Sequence, residues 1–200
     1  MASTVRDPER LAASVGLLLA LVTFAVGGGN AEHTPTPPLP TLIFSDRFTP
    51  FIPTPHRVVE KMLELAEVGP DDTVYDLGSG DGRIVIAAAR KFGARAVGVE
   101  INGRLCEQST EAVAKLGLQK SARIIHGDMF EADFAPATVV TLYQLTVVNK
   151  RLRPLLERKL RRGARVVACD FEIPGWTPKK VVEVTSDAGT AYTLFLYLRP

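Results

Sequence analysis

Residues 74–89 read VYDLGSGDGRIVIAAA, and the order of residue types in this stretch decides the fold. An apolar run ends in an acid, Asp76. Three glycines follow at alternate positions, Gly78, Gly80 and Gly82, and apolar residues then recur at helical spacing. The run predicts a strand over Thr73–Leu77 and the periodicity predicts a helix over Arg83–Phe92. Between them, glycines let the backbone turn sharply and approach a ligand with no Cβ in the way.

Further elements extend the pattern in both directions. A second strand at 94–99 ends in Glu100, about 20 residues beyond the loop, where an acid on a neighbouring strand tip meets ribose hydroxyls. A third strand, Ala122–His126, runs into Gly127, Asp128 and Met129; a fourth spans 137–145 and a fifth 164–171. Strands at 181–185 and Ala191–Leu198 flank a turn at 186–190. Helices are expected at 56–68, with Thr54 as N-cap and Pro55 in the first turn, and at 102–116, closed by Gly117. Another is expected at 148–162, with Pro154 near its start or at a kink. No helical pattern separates the fifth and sixth strands. The expectation is an α/β, Rossmann-like sheet of seven strands, five parallel plus a hairpin that introduces one antiparallel strand.

A glycine loop of this kind also serves dinucleotide-binding domains, and that reading competes here. Asp76 weighs against it, because a carboxylate before the first glycine lies where a pyrophosphate would have to approach, whereas it suits a ligand carrying an ammonium. With that acid, DLGSGDG resembles the first motif of the class I S-adenosylmethionine (SAM) methyltransferases. The resemblance implies SAM as cofactor, held by Asp76, Gly78, Ser79, Gly80, Gly82 and Glu100. It also implies that Asp128 accepts from the adenine amino group and that the Met129 backbone meets the ring. A turn aspartate or a helix cap is the plainer reading of Asp128.

The rest of the chain frames this core. Two hundred residues suit one domain with an appendage, and a net charge of +2 points to no nucleic-acid partner. Cys106 and Cys169 make no paired motif and the three histidines have no ligand spacing, so no metal is expected. Residues 1–10 are polar, and 11–29 carry no charge. That run is long enough for a membrane anchor, which is the expectation; a cleaved signal ending near Ala31 and an inaccurate start site are the alternatives. Residues 30–47 form a proline-rich linker, and 48–200 the methyltransferase domain. Within 48–55, FTPFIPTP, the residues Phe51, Pro53 and Thr54 are candidates for an acceptor channel folded over the cofactor. The Lys- and Arg-rich stretch at 148–162 reads either as a solvated face or as a contact with anionic headgroups.

Taken together, FIPTPHRVVEKMLELA, the glycine stretch, GARAVGVEI, ATVVTLYQL with Asn149 beyond it, and ACDFEIPGW resemble a narrower family. It comprises the membrane-linked protein-lysine methyltransferases that act on the adenine nucleotide translocase and the ATP synthase c-ring protein, with their prokaryotic relatives. The resemblance covers about residues 48–198, although Gln144 stands where that family often has a hydrophobic residue. It implies a protein lysine as acceptor, on a membrane-embedded protein. A desolvated amine needs polar neighbours to orient its lone pair, and Tyr143, Asn149 and Asp170 are the catalytic candidates. Tyr143 reads equally as a large strand residue and Asp170 as a structural acid. Methylation of a small or lipid-like acceptor, and a non-catalytic SAM-binding assembly factor, are the alternative functions.

Overall fold

A computed structural model of the chain describes residues 51–200. Their elements run α1 (His56–Leu65), β1 (Thr73–Leu77), α2 (Arg83–Phe92), β2 (Arg95–Glu100), α3 (Gly103–Lys115), β3 (Ala122–His126) and β4 (Val139–Leu142). Then come α4 (Thr146–Lys159), β5 (Arg165–Cys169), β6 (Lys180–Thr185) and β7 (Ala191–Leu198). The sheet has seven strands in the order β3-β2-β1-β4-β5-β7-β6. β1 to β5 pair in parallel, and β7 is antiparallel to both β5 and β6. This is the expected α/β architecture with one reversed strand.

Alternation along the strands feeds two cores. Val74, Val139, Val167 and Leu194 pack with Met62 and Leu63 of α1, Val85 and Ala88 of α2 and Val113 of α3. Tyr75, Leu77, Val140 and Leu142 point the other way, onto Leu152 and Leu156 of α4. Each large apolar side chain withdrawn from water contributes about 1.5–3 kcal/mol against the entropy of ordering the chain. The second face has only α4, because the β3–β4 and β5–β6 connections carry no helix. Loop residues Phe134, Ile173 and Trp176 fill that space instead. Trp176 is pinned by its indole N–H to Glu157 Oε1 at 2.8 Å, and the Ile173 N–H donates to the Tyr197 hydroxyl at 3.1 Å.

Several boundaries differ from expectation for local reasons. β4 stops at Leu142, since Tyr143 to Leu145 leave the ladder to start α4 at Thr146, and Pro154 lies well inside that helix. β5 stops at Cys169, because Asp170 takes a left-handed φ of 59°. Thr54 is no N-cap: Pro55 holds that position without a side-chain bond, and its carbonyl accepts from the Val58 and Val59 N–H groups.

The expected membrane localisation is corrected. No helix among the described residues is long and apolar enough to cross a membrane. The uncharged run at 11–29 that carried the expectation lies outside the described residues, as do residues 1–10 and the linker at 30–47.

At the amino ends of β1, β4 and β5 one ion pair joins three elements. Asp72 Oδ1 accepts from Thr138 Oγ1 at 2.5 Å and from Arg165 Nη2, while Oδ2 accepts from the Gly69 N–H at 2.9 Å. Arg165 Nη1 also donates to the Ala66 and Glu67 carbonyls at 2.7 and 3.0 Å, closing the end of α1. Burial opposes the charge on Asp72, but the Thr138, Gly69 and Arg165 interactions outweigh it and hold the carboxyl below its usual range. Removing one partner leaves an uncompensated charge. Arg165→Met is therefore expected to lower unfolding free energy by about 2–4 kcal/mol in urea denaturation, at the low end of a fully buried pair because the side chain keeps some exposure.

Candidate functional site

The site forms where the strand order turns back, between β1 and β4, at the carboxyl ends of the parallel strands. The glycine loop emerges there from β1. Gly78, Gly80 and Gly82 all have left-handed φ values, 88°, 55° and 77°, so each glycine does what its sequence position implied. The Gly78 and Ser79 N–H groups donate to the Val99 carbonyl at 2.9 and 3.0 Å, and the Gly80 N–H donates to Glu100 Oε2 at 2.7 Å. The other oxygen of Glu100 accepts from the Asn102 N–H at 2.8 Å. Two lone pairs on that carboxylate thus remain for a ligand hydroxyl pair.

Close approach extends to β2. A Cβ on Gly98 would sit 2.5 Å from Ser79 Oγ, so the loop can lie against β2 only because that strand position is bare. Sequence reading passed over Gly98, although a glycine inside AVGVE is the usual sign of backbone crowding.

A cavity opens in front of this loop. Asp76, Ser79, Glu100, Asp128, Tyr143 and Gln144 line it, with Met129 beside Asp128 and with Phe51 and Thr54 from the segment before α1. Gly78 also lines it, whereas Gly80 and Gly82 shape the turn from behind. Pro53, Asn149 and Asp170 are not among the lining residues. The Phe51 ring lies over the loop so closely that a Cβ on Gly80 would stand 2.3 Å from it.

Arg83 explains how the approach segment is held. Its Nε donates to both Asp81 oxygens at 2.9 and 3.1 Å, and its Nη1 reaches the Thr54 carbonyl at 2.7 Å. Neither Asp81 nor Arg83 was singled out from the sequence. The available signal was the charged pair DGR flanking the last glycine of the loop.

Charge in the cavity is mostly negative. Asp76 is 3% exposed and accepts from Thr141 Oγ1 at 2.8 Å. Burial pushes its carboxyl up to about 7, and the nearby Glu100 and Asp81 charges add to that against the Thr141 bond. Asp81 goes the other way: burial raises it, but the hydrogen bonds and charge of Arg83 prevail and keep it below the usual range. Asp128 Oδ1 accepts from the Phe130 N–H at 2.9 Å, fixing the turn after β3. Two buried wall atoms have no hydrogen-bond partner in the protein, Ser79 Oγ and Gln144 Oε1. A bare glycine loop, orphaned polar atoms and an acid that burial holds near neutrality fit a polar, positively charged ligand of nucleoside size.

The three catalytic candidates separate. Tyr143 faces the cavity and donates its hydroxyl to Asp170 Oδ2 at 3.0 Å. Burial first, and then the Asp170 charge, push that hydroxyl well above its ordinary range, so it stays protonated at neutral pH. Asn149 is fully buried. Its Nδ2 donates to the Gln144, Phe171 and Glu172 carbonyls at 3.1, 2.9 and 3.3 Å, which ties the β4 tip to the β5 tip.

Residues 76–180 match the ANTKMT methyltransferase domain family. A protein-lysine N-methyltransferase of Saccharolobus islandicus (strain REY15A) is 49% identical over 150 residues, spanning 74% of this chain and 92% of that protein. The lysine N-methyltransferase of the ATP synthase c-ring protein from Rattus norvegicus is 34% identical over 177 residues, 87% of this chain and 80% of that one. Among solved structures, an RNA methyltransferase from Salinibacter ruber in complex with S-adenosyl-L-homocysteine superposes with a TM-score of 0.70 at 46% identity. It covers 74% of this chain and 94% of its own.

The burial of Asp76 carries a stability cost whose sign follows from its two ionisation constants. Unfolded, the carboxyl ionises near 3.8, and folded near 7. Stability of the free protein therefore declines as pH rises from about 4 to about 7 and is flat above. Asp76→Asn keeps the Thr141 bond and removes the penalty. Thermal melts of the ligand-free protein are expected to place the variant above wild type at pH 8, by about 2–4 °C for each kcal/mol relieved, with the gap closing toward pH 4.

Proposed function

The chain belongs to the ANTKMT methyltransferase domain family, and from that premise we propose that it transfers a methyl group from SAM to the side-chain amine of a protein lysine. The observation that carries this reading is the acidic cavity under the glycine loop, closed on its far side by Tyr143 and Asp170. SAM, its cofactor, supplies an electrophilic methyl on a sulfonium. The protein has to orient the two partners and exclude water between them, which can account for much of the barrier without a strong base.

Roles follow from the placements above. Glu100 accepts the ribose hydroxyls with the lone pairs that its two backbone donors leave free. Asp76 faces the ammonium of the methionine portion, and a cation there relieves the cost of ionising that buried acid. Backbone N–H groups of the loop and the start of α2 meet the carboxylate. Asp128 accepts from the adenine amino group while Met129 covers the ring. The Tyr143 proton is committed to Asp170, so its oxygen has lone pairs to accept an amine N–H and aim the nitrogen lone pair. Asn149 is a positioning residue that fixes the backbone around Tyr143. Phe51 and Thr54, latched by Arg83, cover the cofactor and narrow the amine's path.

The acceptor as a lysine on a membrane-embedded protein is the finer reading. Relatives named for the ATP synthase c-ring protein and for the adenine nucleotide translocase support it. So do the apolar side chains exposed beside the cavity, Phe51 and Ile52 on one segment and Leu145 and Val147 on the other. A second reading, RNA as acceptor, is favoured by the description of the Salinibacter ruber neighbour. Incubating the purified protein and methyl-labelled SAM with total cell extract separates them. Label in protein, recovered as methyl-lysine after hydrolysis, is the expected result. Nuclease-sensitive label would replace it with RNA, solvent-extractable label with a lipid-like acceptor, and no label with a binding module.

Calorimetry tests the cofactor residues independently of the acceptor. Glu100→Gln exchanges a charged acceptor for a neutral amide, and the Kd for SAM is expected to rise about 10- to 100-fold. An unchanged Kd would remove Glu100 from the site.

A further inference from the structure

Beside the cavity, on the side away from the glycine loop, three aromatic rings and one carboxylate come together from three strand ends. Tyr143 follows β4, Asp170 and Phe171 follow β5, and Tyr192 opens β7. Tyr143 and Phe171 have ring centroids 6.3 Å apart at 28°, and Tyr143 and Tyr192 are 6.5 Å apart at 70°, which makes one layered wall and one nearly perpendicular wall. None of the four side chains is fully buried, unlike Tyr197 in the core.

Asp170 is held in place with some care. It sits in a left-handed conformation at φ 59°, unusual for a residue with a side chain. Its N–H donates to the Thr193 carbonyl at 2.7 Å, its Oδ1 accepts from the Thr193 N–H at 2.9 Å, and its Oδ2 accepts from Tyr143. Those are neutral donors. Among the described residues no cation pairs with Asp170. The two cation–ring contacts there are Arg151 over Phe130 and Lys159 over Phe134, on other rings. Burial and then the Asp170 charge push the Tyr192 hydroxyl up, as they do that of Tyr143, a sign that its field reaches the rings uncancelled.

A carboxylate without a protein counter-ion, flanked by π faces, is an environment for an alkylated ammonium, which prefers ring faces to water more strongly as methyl groups replace its N–H bonds. We propose that Tyr143, Phe171, Tyr192 and Asp170 form a box that holds the methylated ammonium of the acceptor, so that one lysine is methylated repeatedly before it leaves. This rests on the lysine reading and adds the preference for methylated forms. In each cycle the amine nitrogen forms a bond to the methyl carbon, the carbon–sulfur bond breaks and its electron pair stays on sulfur. The nitrogen becomes an ammonium and gives a proton to water before the next transfer. Between cycles the box retains the charged side chain while cofactor product is exchanged for fresh SAM through the cavity.

The probe is Nα-acetyl-trimethyl-lysine methylamide, titrated by NMR onto the full chain saturated with S-adenosylhomocysteine, alongside its uncharged tert-butyl isostere. The charged probe is expected to bind about 5- to 30-fold more tightly than the neutral one. Phe171→Leu and Tyr192→Leu should each bring that ratio toward one while leaving the affinity for S-adenosylhomocysteine unchanged, which shows that the variants are folded. In labelled extract, wild type should yield di- and trimethyl-lysine and the variants should accumulate the monomethyl form. Equal binding of the two probes, or an unaltered distribution of methyl states, overturns the box. Failure of the lysine reading looks different: wild type then labels no lysine, whereas a retained preference for the charged probe still supports a cation site.

Discussion

One carboxylate bridges two connections that have no other reason to meet. Glu100, at the tip of β2, accepts the Gly80 N–H of the loop after β1 with one oxygen and the Asn102 N–H that opens α3 with the other. Charged acceptors make such bonds about twice as strong as neutral ones, so the loop is held at a fixed height above the sheet. The bare backbone of Gly98 supplies the room beneath it. Everything the cavity presents, from the depth of Asp76 to the reach of Tyr143, is measured from that fixed loop.

A second set of contacts fixes the opposite wall without touching the cavity. Asn149 gathers three carbonyls from the β4 and β5 tips, and by doing so determines where Tyr143 stands and how Asp170 leaves its strand. Arg83 does the corresponding work at the front, joining Asp81 of the loop to the chain ahead of α1. The site is thus built from strand ends that are rigid, with its least regular parts tied back by single polar side chains. That arrangement suits a reaction whose main requirement is alignment.

The sequence made the sheet legible because buried parallel strands read as apolar runs and the last two strands follow each other with only a turn between. It made the glycine loop legible because three left-handed positions in succession leave little choice of residue. Asn149 was less transparent. The α4 helix begins earlier than its pattern implied, and a small error in the start rotates a residue from the cavity face into the core. Arg83 and Gly98 act through contacts distant in sequence, which local pattern does not report. The Thr54 capping role failed because Pro55 already starts the turn and the Thr54 carbonyl is needed by Arg83. The membrane reading rested on residues 11–29 alone, and the helices of the described domain add no span to it.

The uneven cover of the sheet has a dynamic consequence. On one face three helices share the core, and loss of any one leaves two in place. On the other, α4 alone anchors both loops that complete the layer, through Arg153 to the Pro174 carbonyl and Glu157 to Trp176. If the last turns of α4 fray, the plugs formed by Ile173 and Trp176 loosen with it, and β5 and β7 lose their cover together. Backbone amides on that side then exchange with solvent as one cooperative unit of lower stability than the helical face, so the half of the protein that carries Asp170, Phe171 and Tyr192 is also the half able to open without global unfolding.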